Sequence, residues 1–363
     1  MAMHYSRQKI NRELTRDDLG QLSDHEAWDI FRRSRFGEAE RFACPECTYV
    51  DKHWFIKTRR QWTCKHCHHR FSVTSGTAFS NRKLGFRKLL CIVFRFLTDL
   101  QGVNANSLLN DVGITYKTAF QNVSKVREVL YQSTDLTPLT GIVHIDCMHI
   151  CGKPRRGNIR KASDSALVNN RLRTRKDSIV PDKSTHPEPW NLEKLKNRRI
   201  VLALSQLALT DDGSYGSDRT ITFILKRETA SLILPLIKKH VARNAIIMSD
   251  CGGAFNQIEP LLGIKHFSVN HSKRYQDEFG VNNNQAESFF SRLRRAEYGT
   301  YNAVGRAYLA FYVAEFGYRN DSKYFGIKAR FDSLLSKILR SEPSKFFSGY
   351  NQGHRAKFEY AYG

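Results

Sequence analysis

The chain is short of acid. Its 363 residues carry 35 Asp/Glu against 58 Lys/Arg, a formal net charge of +23. Such a field favours a polyanion, of which nucleic acid is the usual one. An anionic membrane surface would also attract it, but long apolar runs are missing too. None approaches the roughly 20 residues of a membrane-spanning helix, and LLCIVFRFLTDL is short and broken by Arg95. The first residues, MAMHYSRQKINRELTRDD, have no apolar segment of the signal-peptide kind. The expectation is a cytoplasmic, nucleoid-associated protein with no membrane partner and with reduced thiols, which suits zinc better than disulfides. No internal repeat is visible. Hydrophobic residues make up 41% and aromatics 12%, which is globular rather than disordered composition. The length allows two or three domains.

What is present in a telling pattern is cysteine. Cys44 and Cys47 form one CxxC, Cys64 and Cys67 a second, with sixteen residues between them. Two such knuckles can fold back and offer four thiolates in a tetrahedron to Zn²⁺. The intervening arms, HWFIKTRRQWTC and HRFSVTSGTAF, are rich in aromatic and β-branched residues, as ribbon strands are. A redox pair would need a single CxxC in a βαβ setting. Four cysteines close the site, so His53, His66, His68 and His69 are expected at the surface or facing DNA. Cys91, Cys147, Cys151 and Cys251 are expected as small buried residues.

The segment 1–40 reads as helical, with LSDHEAWDIFRRSRF its clearest amphipathic stretch. The ribbon occupies 41–80, and a helical region follows over 81–135. Within it, Ser107–Asp111, a turn at Val112–Gly113 and a second helix capped by Thr115 have helix-turn-helix order. Tyr116, Lys117, Thr118 and Gln121 fall on the early turns of that second helix, the part that reads a major groove. An ordinary helical hairpin has the same spacing.

From about residue 140 the texture becomes α/β and continues to about 325. GIVHIDCMHI, RRIVLALSQLALT, RTITFILKR, AIIMSD and KHFSV read as strands, with TDDGSYGSD as a turn. TASLILPLIKKHV, NNNQAESFFSRLRRAEYG and RAYLAFYVAEFGYRND read as helices. A stretch at 152–199 carries fourteen Lys/Arg against five Asp/Glu. It has no sustained apolar period and reads as a basic insertion, including Arg155 and Arg156, for phosphate contact. Residues 326–363 form a helical and basic tail. Its aromatic and basic residues suit either a DNA clamp or packing on the core.

Two aspartates, Asp146 and Asp250, end buried apolar strands, where α/β sheets place ligands. Glu287 lies at the start of a helix, on a face with Phe290 and Arg294. Carboxylates converging in a basic protein suit Mg²⁺ or Mn²⁺. Periodicity alone does not choose these three, since Asp164, Asp211, Asp212 and Glu315 compete. Asp211 and Asp212 suit a turn, and Glu315 suits a buried arginine.

From about Leu22 to Asn320 the chain resembles insertion-sequence transposases with a zinc ribbon and an ISXO2-like DDE domain. The resemblance rests on FACPEC, QWTCKHCHHRFSVTSGTAF and ITYKTAFQNVSKVRE, then IDCMHICGK, MSDCGGAF, VNHSKRYQD and NNNQAESFFSRLRRAEYGTYNAV. It implies an RNase H-like mixed sheet of five strands flanked by helices. It implies Asp146, Asp250 and Glu287 as the catalytic, magnesium-holding triad, with His271 and Asn284 as auxiliary polar residues; His271 also suits a purely structural hydrogen bond. It implies element-end and target double-stranded DNA as partners, a homo-oligomeric synaptic complex, and phosphate contacts from Arg292, Arg294 and Arg295. The family usually carries Glu directly after the first aspartate, and here that residue is Cys147. Competing classes are a non-catalytic zinc-ribbon DNA-binding protein, a decayed transposase and a nuclease of the same fold without strand transfer. The first needs only residues 1–135 and leaves the strand-end aspartates without a purpose.

Overall fold

The computed structural model describes residues 9–150, 198–209, 215–250, 253–269, 282–302, 304–354 and 358–363. Two short helices begin it, α1 (Arg16–Gln21) and α2 (Asp24–Phe36). Each opens on a capping box, Thr15 with Asp18 and Ser23 with Glu26, so the first free N–H groups of both helices are satisfied locally. The ribbon has five short strands: β1 (Phe42–Ala43), β2 (Val50–Asp51), β3 (Trp54–Ile56), β4 (Gln61–Thr63) and β5 (Arg70–Ser72). β1 pairs with β2, and β3–β4–β5 form an antiparallel sheet. α2 closes over this sheet. Trp28 stacks on Trp62 at 5.7 Å, Phe36 stacks on Phe42 at 4.2 Å, and Arg35 donates to the carbonyls of Ser72 and Ser75 at 2.9 and 2.7 Å.

The helical region contains α3 (Phe86–Thr98), α4 (Ser107–Val112) and α5 (Tyr116–Gln132). The turn between α4 and α5 lies where the sequence places it, with Gly113 at φ 64° ending α4 and the Thr115 hydroxyl capping α5. The apolar faces of α2, α3 and α5 share a core with α10 (Ile327–Arg340), through Phe331, Leu334, Leu335 and Ile338. The helix of the C-terminal tail is thus part of the N-terminal core.

The second core is a five-stranded mixed sheet: β6 (Ile142–Ile150), β7 (Arg199–Leu209), β8 (Tyr215–Leu225), β9 (Ile246–Asp250) and β10 (Lys265–Val269). Their order is β10-β9-β6-β7-β8. β6, β9 and β10 run parallel, and β7 and β8 are antiparallel to their neighbours. β8 starts at Tyr215, inside the stretch expected as a turn, because the β7–β8 ladder continues past a bulge at Gln206/Leu207. One face packs on α6 (Ala230–His240) and α7 (Ile258–Leu262), the other on α8 (Asn284–Arg295) and α9 (Leu309–Asp321). This is an RNase H-like α/β sheet preceded by a zinc ribbon and a helix-turn-helix. α9, apolar nearly all round, lies between β8 and α5 and so touches both cores. Among the described residues no helix is long and apolar enough to cross a membrane.

Candidate functional site

The four cysteines converge. Their sulfurs all lie within 4.8 Å of one another, with Cys44–Cys67 at 3.8 Å and Cys47–Cys64 at 3.7 Å. Zn–S bonds of about 2.3 Å in a tetrahedron require sulfurs about 3.8 Å apart, so the spacing fits zinc. The two knuckles share one backbone design. Thr48 N–H donates to Cys44 O at 2.9 Å and His68 N–H to Cys64 O at 3.1 Å. Thr48 and His68 both take positive φ, 58° and 57°. Of the nearby histidines, His66 and His68 are exposed and stack on Tyr49 and Trp54. His53 departs from the surface role expected of it: it is buried, its Nε2 is 3.0 Å from Phe42 O, and it packs edge-on to Phe42 and Phe71. The ribbon's small core recruits its ring as an aromatic. Cys91 and Cys147 are half-buried rather than fully buried, while Cys151 and Cys251 lie outside the described residues.

The carboxylates are brought together by the sheet. β6 pairs with β9 in parallel up to Ile145–Ser249, so Asp146 and Asp250 are the next residues in matched register. Adjacent strands lie about 4.8 Å apart. Asp146 does not end its strand as expected: β6 runs on to Ile150 because β7 pairs with it that far, so Asp146 lies mid-strand, alternates with Ile145 and shares the face of Met148, onto which α8 packs. Glu287 stands in the first turn of α8, anchored by its buried neighbours Ala286, Phe289, Phe290 and Leu293. Asp146 and Glu287 line a cavity of about 810 Å³ together with Phe290, Arg294, Arg295 and Tyr298. The helix residues recur at three- and four-residue steps, which places them on one face. Beyond Arg295 the helix continues as a π-helical turn, Ala296–Tyr301, carrying Tyr298 and Gly299 to the cavity wall. Gln101, from the N-terminal half, lines the same cavity.

Desolvation pushes the Asp146 carboxyl up to about 7. The Cys147 N–H, donating at 2.7 Å, pulls it down, but Asp250, Glu287 and Glu228 add their negative charge to the rise. A half-buried carboxyl among three others is an electrostatic deficit that a divalent cation with oxygen ligands offsets. The donor set fits Mg²⁺ or Mn²⁺. The carboxylate oxygens do not close to the 4.8 Å spacing of the four sulfurs among the described residues. Mg²⁺ keeps waters and phosphate oxygens as ligands and needs no all-protein cage.

Glu228 has no apolar strand-end signature in the sequence. It reaches the site because antiparallel pairing sets Leu225 level with Ile200, and Ile200 with His149. Its carboxylate lies 3.1 Å from His149 Nε2. Also missed is His144, buried two residues before Asp146, whose Nδ1 accepts from the Gln285 N–H at 3.4 Å and so ties β6 to the first turn of α8. Desolvation lowers its imidazole to about 4, leaving it neutral at ordinary pH.

The other expected residues separate. Arg294 and Arg295 are exposed in the cavity, whereas Arg292 turns away and donates to Asn320. Asn284 is exposed at the start of α8. Tyr116 and Lys117 are exposed on α5, Thr118 sits against the Thr115 cap, and Gln121 is half-buried under the C-terminal segment. Glu315 faces Arg127 at 2.7 Å and Arg319 at 2.8 Å, away from the carboxylate site. His271, Arg155, Arg156, Asp164, Asp211 and Asp212 lie outside the described residues, as does the basic insertion through residue 197.

Residues 138–321 match the model of the ISXO2-like transposase domain, half of the chain. The chain belongs to the ISXO2-like transposase family. Residues 22–70 of this transposase match the transposase zinc-ribbon domain, so the four-sulfur cluster is the ribbon's zinc centre. Among curated proteins, none matches the transposase. Both domains mark it as a DNA-acting protein.

Proposed function

We propose that this transposase binds the terminal inverted repeats of its element, cleaves DNA at the element ends and joins the freed 3′-hydroxyls to target DNA. The observation that carries the proposal is the grouping of Asp146 and Asp250 in matched register, with Glu287 on the facing helix above them and Arg294 and Arg295 on the same helix face. Asp146, Asp250 and Glu287 would hold two Mg²⁺ or Mn²⁺. When bound, such ions activate the attacking oxygen and stabilise the leaving oxygen of an in-line displacement.

The remaining work falls to the chain. Arg294 and Arg295 engage phosphate oxygens beside Glu287, holding the scissile phosphorus against the carboxylates. In cleavage, a water oxygen bonds to phosphorus as the bond to the 3′-oxygen breaks, leaving a 3′-hydroxyl on the element end. In joining, that hydroxyl attacks a target phosphorus and releases a target 3′-oxygen, with no external energy source. The ribbon and α5 recognise the ends, with Tyr116 and Lys117 presented outward. The basic insertion with Arg155 and Arg156 adds phosphate contacts, and His271 and Asn284 serve beside the carboxylates. Two ends must be joined in concert, which calls for a homo-oligomeric synaptic complex acting on nucleoid DNA.

The test is a strand-transfer assay with Mg²⁺ on DNA carrying the element ends, wild type against Asp250→Asn. Joined product from wild type alone is expected. Equal product from both removes Asp250 from the chemistry, and tight binding with no product from either favours a decayed enzyme or a binding protein.

A further inference from the structure

The C-terminal segment does not trail from the fold. Glu128, on α5 and buried, accepts from the backbone N–H groups of Lys345 and Phe346 at 2.9 and 3.3 Å and from the Ser344 hydroxyl. Two turns earlier, Gln121 spends both ends of its amide on the same segment: its Nε2 donates to Phe347 O at 2.9 Å and its Oε1 accepts from Asn351 Nδ2 at 2.8 Å. Beside the second anchor the Phe120 ring meets Tyr350 at 4.7 Å. The loop that follows is tightly wound. Gly349 has φ 75°, and a Cβ there would fall 2.4 Å from His354 Nδ1. The Gln352 and His354 N–H groups both return to Gly349 O, at 2.8 and 3.2 Å.

We propose that residues 344–354 and the first two turns of α5 form one composite surface for the DNA backbone, so that the recognition helix reads DNA only with the C-terminal loop beside it. The proposal rests on the reading of α5 as a DNA-facing helix. Charge decides between extension and masking. A segment that competed with DNA for this helix would carry acid to mimic phosphate. Instead, no Asp or Glu occurs between Glu342 and Glu359, nor from Gly113 to Arg127 on the helix side. Two stretches without acid of their own, bearing Lys117 and Lys345, are thus built side by side, with Lys345 in an exposed ion pair to Glu342 at 3.3 Å that a phosphate can displace; the partner such a surface attracts is a polyanion. Exposed Tyr116, Lys117, Asn351 and Gln352 supply donors to phosphate or base edges around one patch.

The experiment uses the full zinc-loaded chain and a fluorescent duplex carrying the element end, titrated over a range of salt. Lys345→Glu/Gln352→Glu changes only exposed side chains and breaks one exposed ion pair, Lys345–Glu342, of a kind worth little to stability. It is expected to weaken binding at least about tenfold at low salt and to flatten the salt dependence by about one counterion, with an unchanged thermal midpoint. Gly349→Val keeps every charge but unseats the loop, and is expected to weaken binding likewise. Unchanged affinity in both variants overturns the proposal, and so does tighter binding by Gly349→Val, the mark of a masking segment. A wild type that binds no duplex at all removes instead the DNA-facing reading of α5 on which the proposal stands.

Discussion

At the residue scale, the site holds its carboxylates at a cost to the fold. Asp146 has its carboxyl raised from 3.8 to about 7, chiefly by desolvation. The folded state therefore binds this proton more tightly than the unfolded chain does. The stability this proton contributes is intact below about pH 4, is lost progressively as pH rises toward 7, and is absent above that. In metal-free protein, Asp146→Asn is expected to be more stable than wild type by about 1–3 kcal/mol at pH 8, the difference shrinking toward pH 4. Urea titrations at the two pH values check this, and a variant less stable than wild type at pH 8 would refute the stated strain. Adding Mg²⁺ at pH 8 should stabilise wild type and leave the variant largely unmoved, since an ion that binds only the native site adds stability.

At the element scale, the ribbon depends on its ion. Its strands have two or three residues each, too few to form a sheet of independent stability. Its aromatic ladder, Trp28–Trp62–Phe71, works only when α2 is docked. Removing one thiolate leaves three ligands and an open position, which structural zinc sites do not tolerate. Cys64→Ser is expected to lose its zinc, unfold the ribbon and weaken end binding, while the five-stranded sheet stays folded. Metal analysis by mass spectrometry is the check, and full zinc content in the variant would sink the assignment.

At the scale of the whole molecule, the two cores are joined by a buried ion pair. Arg127 of α5 donates from Nε to Glu315 of α9 at 2.7 Å and from Nη2 to Val103 O at 3.0 Å, and its guanidinium lies 3.9 Å over the Tyr312 ring. Glu315 is fully buried, and despite desolvation Arg127 and Arg319 hold its carboxyl below the ordinary range. Nearby, Gly102 takes φ 81° where a Cβ would fall 1.9 Å from the Tyr301 hydroxyl, so the N-terminal half closes onto the π-helical turn at the cavity wall. Removing Arg127 leaves the buried Glu315 carboxylate with Arg319 alone, at 2.8 Å; breaking a buried pair outright costs about 3–5 kcal/mol, which bounds the loss from above. Arg127→Met should therefore lower the unfolding free energy from urea titration by up to that amount, with a lower midpoint, and disturb the site through Tyr301. A midpoint within error of wild type would show that the pair does not couple the cores.

Local pattern carried a large part of this protein. The zinc centre was legible because its ligands sit at fixed short spacings whose chemistry admits few alternatives. The N-cap of α5 and the turn at Gly113 were legible because they rest on neighbouring residues, and Asp250 because its apolar run stops at it, whereas Asp146 lies mid-strand in β6, whose length is set by pairing with β7. Tertiary structure decided the rest. The matched register of Asp146 and Asp250 comes from parallel pairing of strands a hundred residues apart, and Glu228 arrives through two antiparallel ladders. α10 and the Glu128 anchor return the C-terminus to the first core, and His53 turns inward because a core that small needs its ring. These outcomes depend on which distant surfaces meet, and no window of sequence encodes that: burial and long-range pairing are properties of the packed chain.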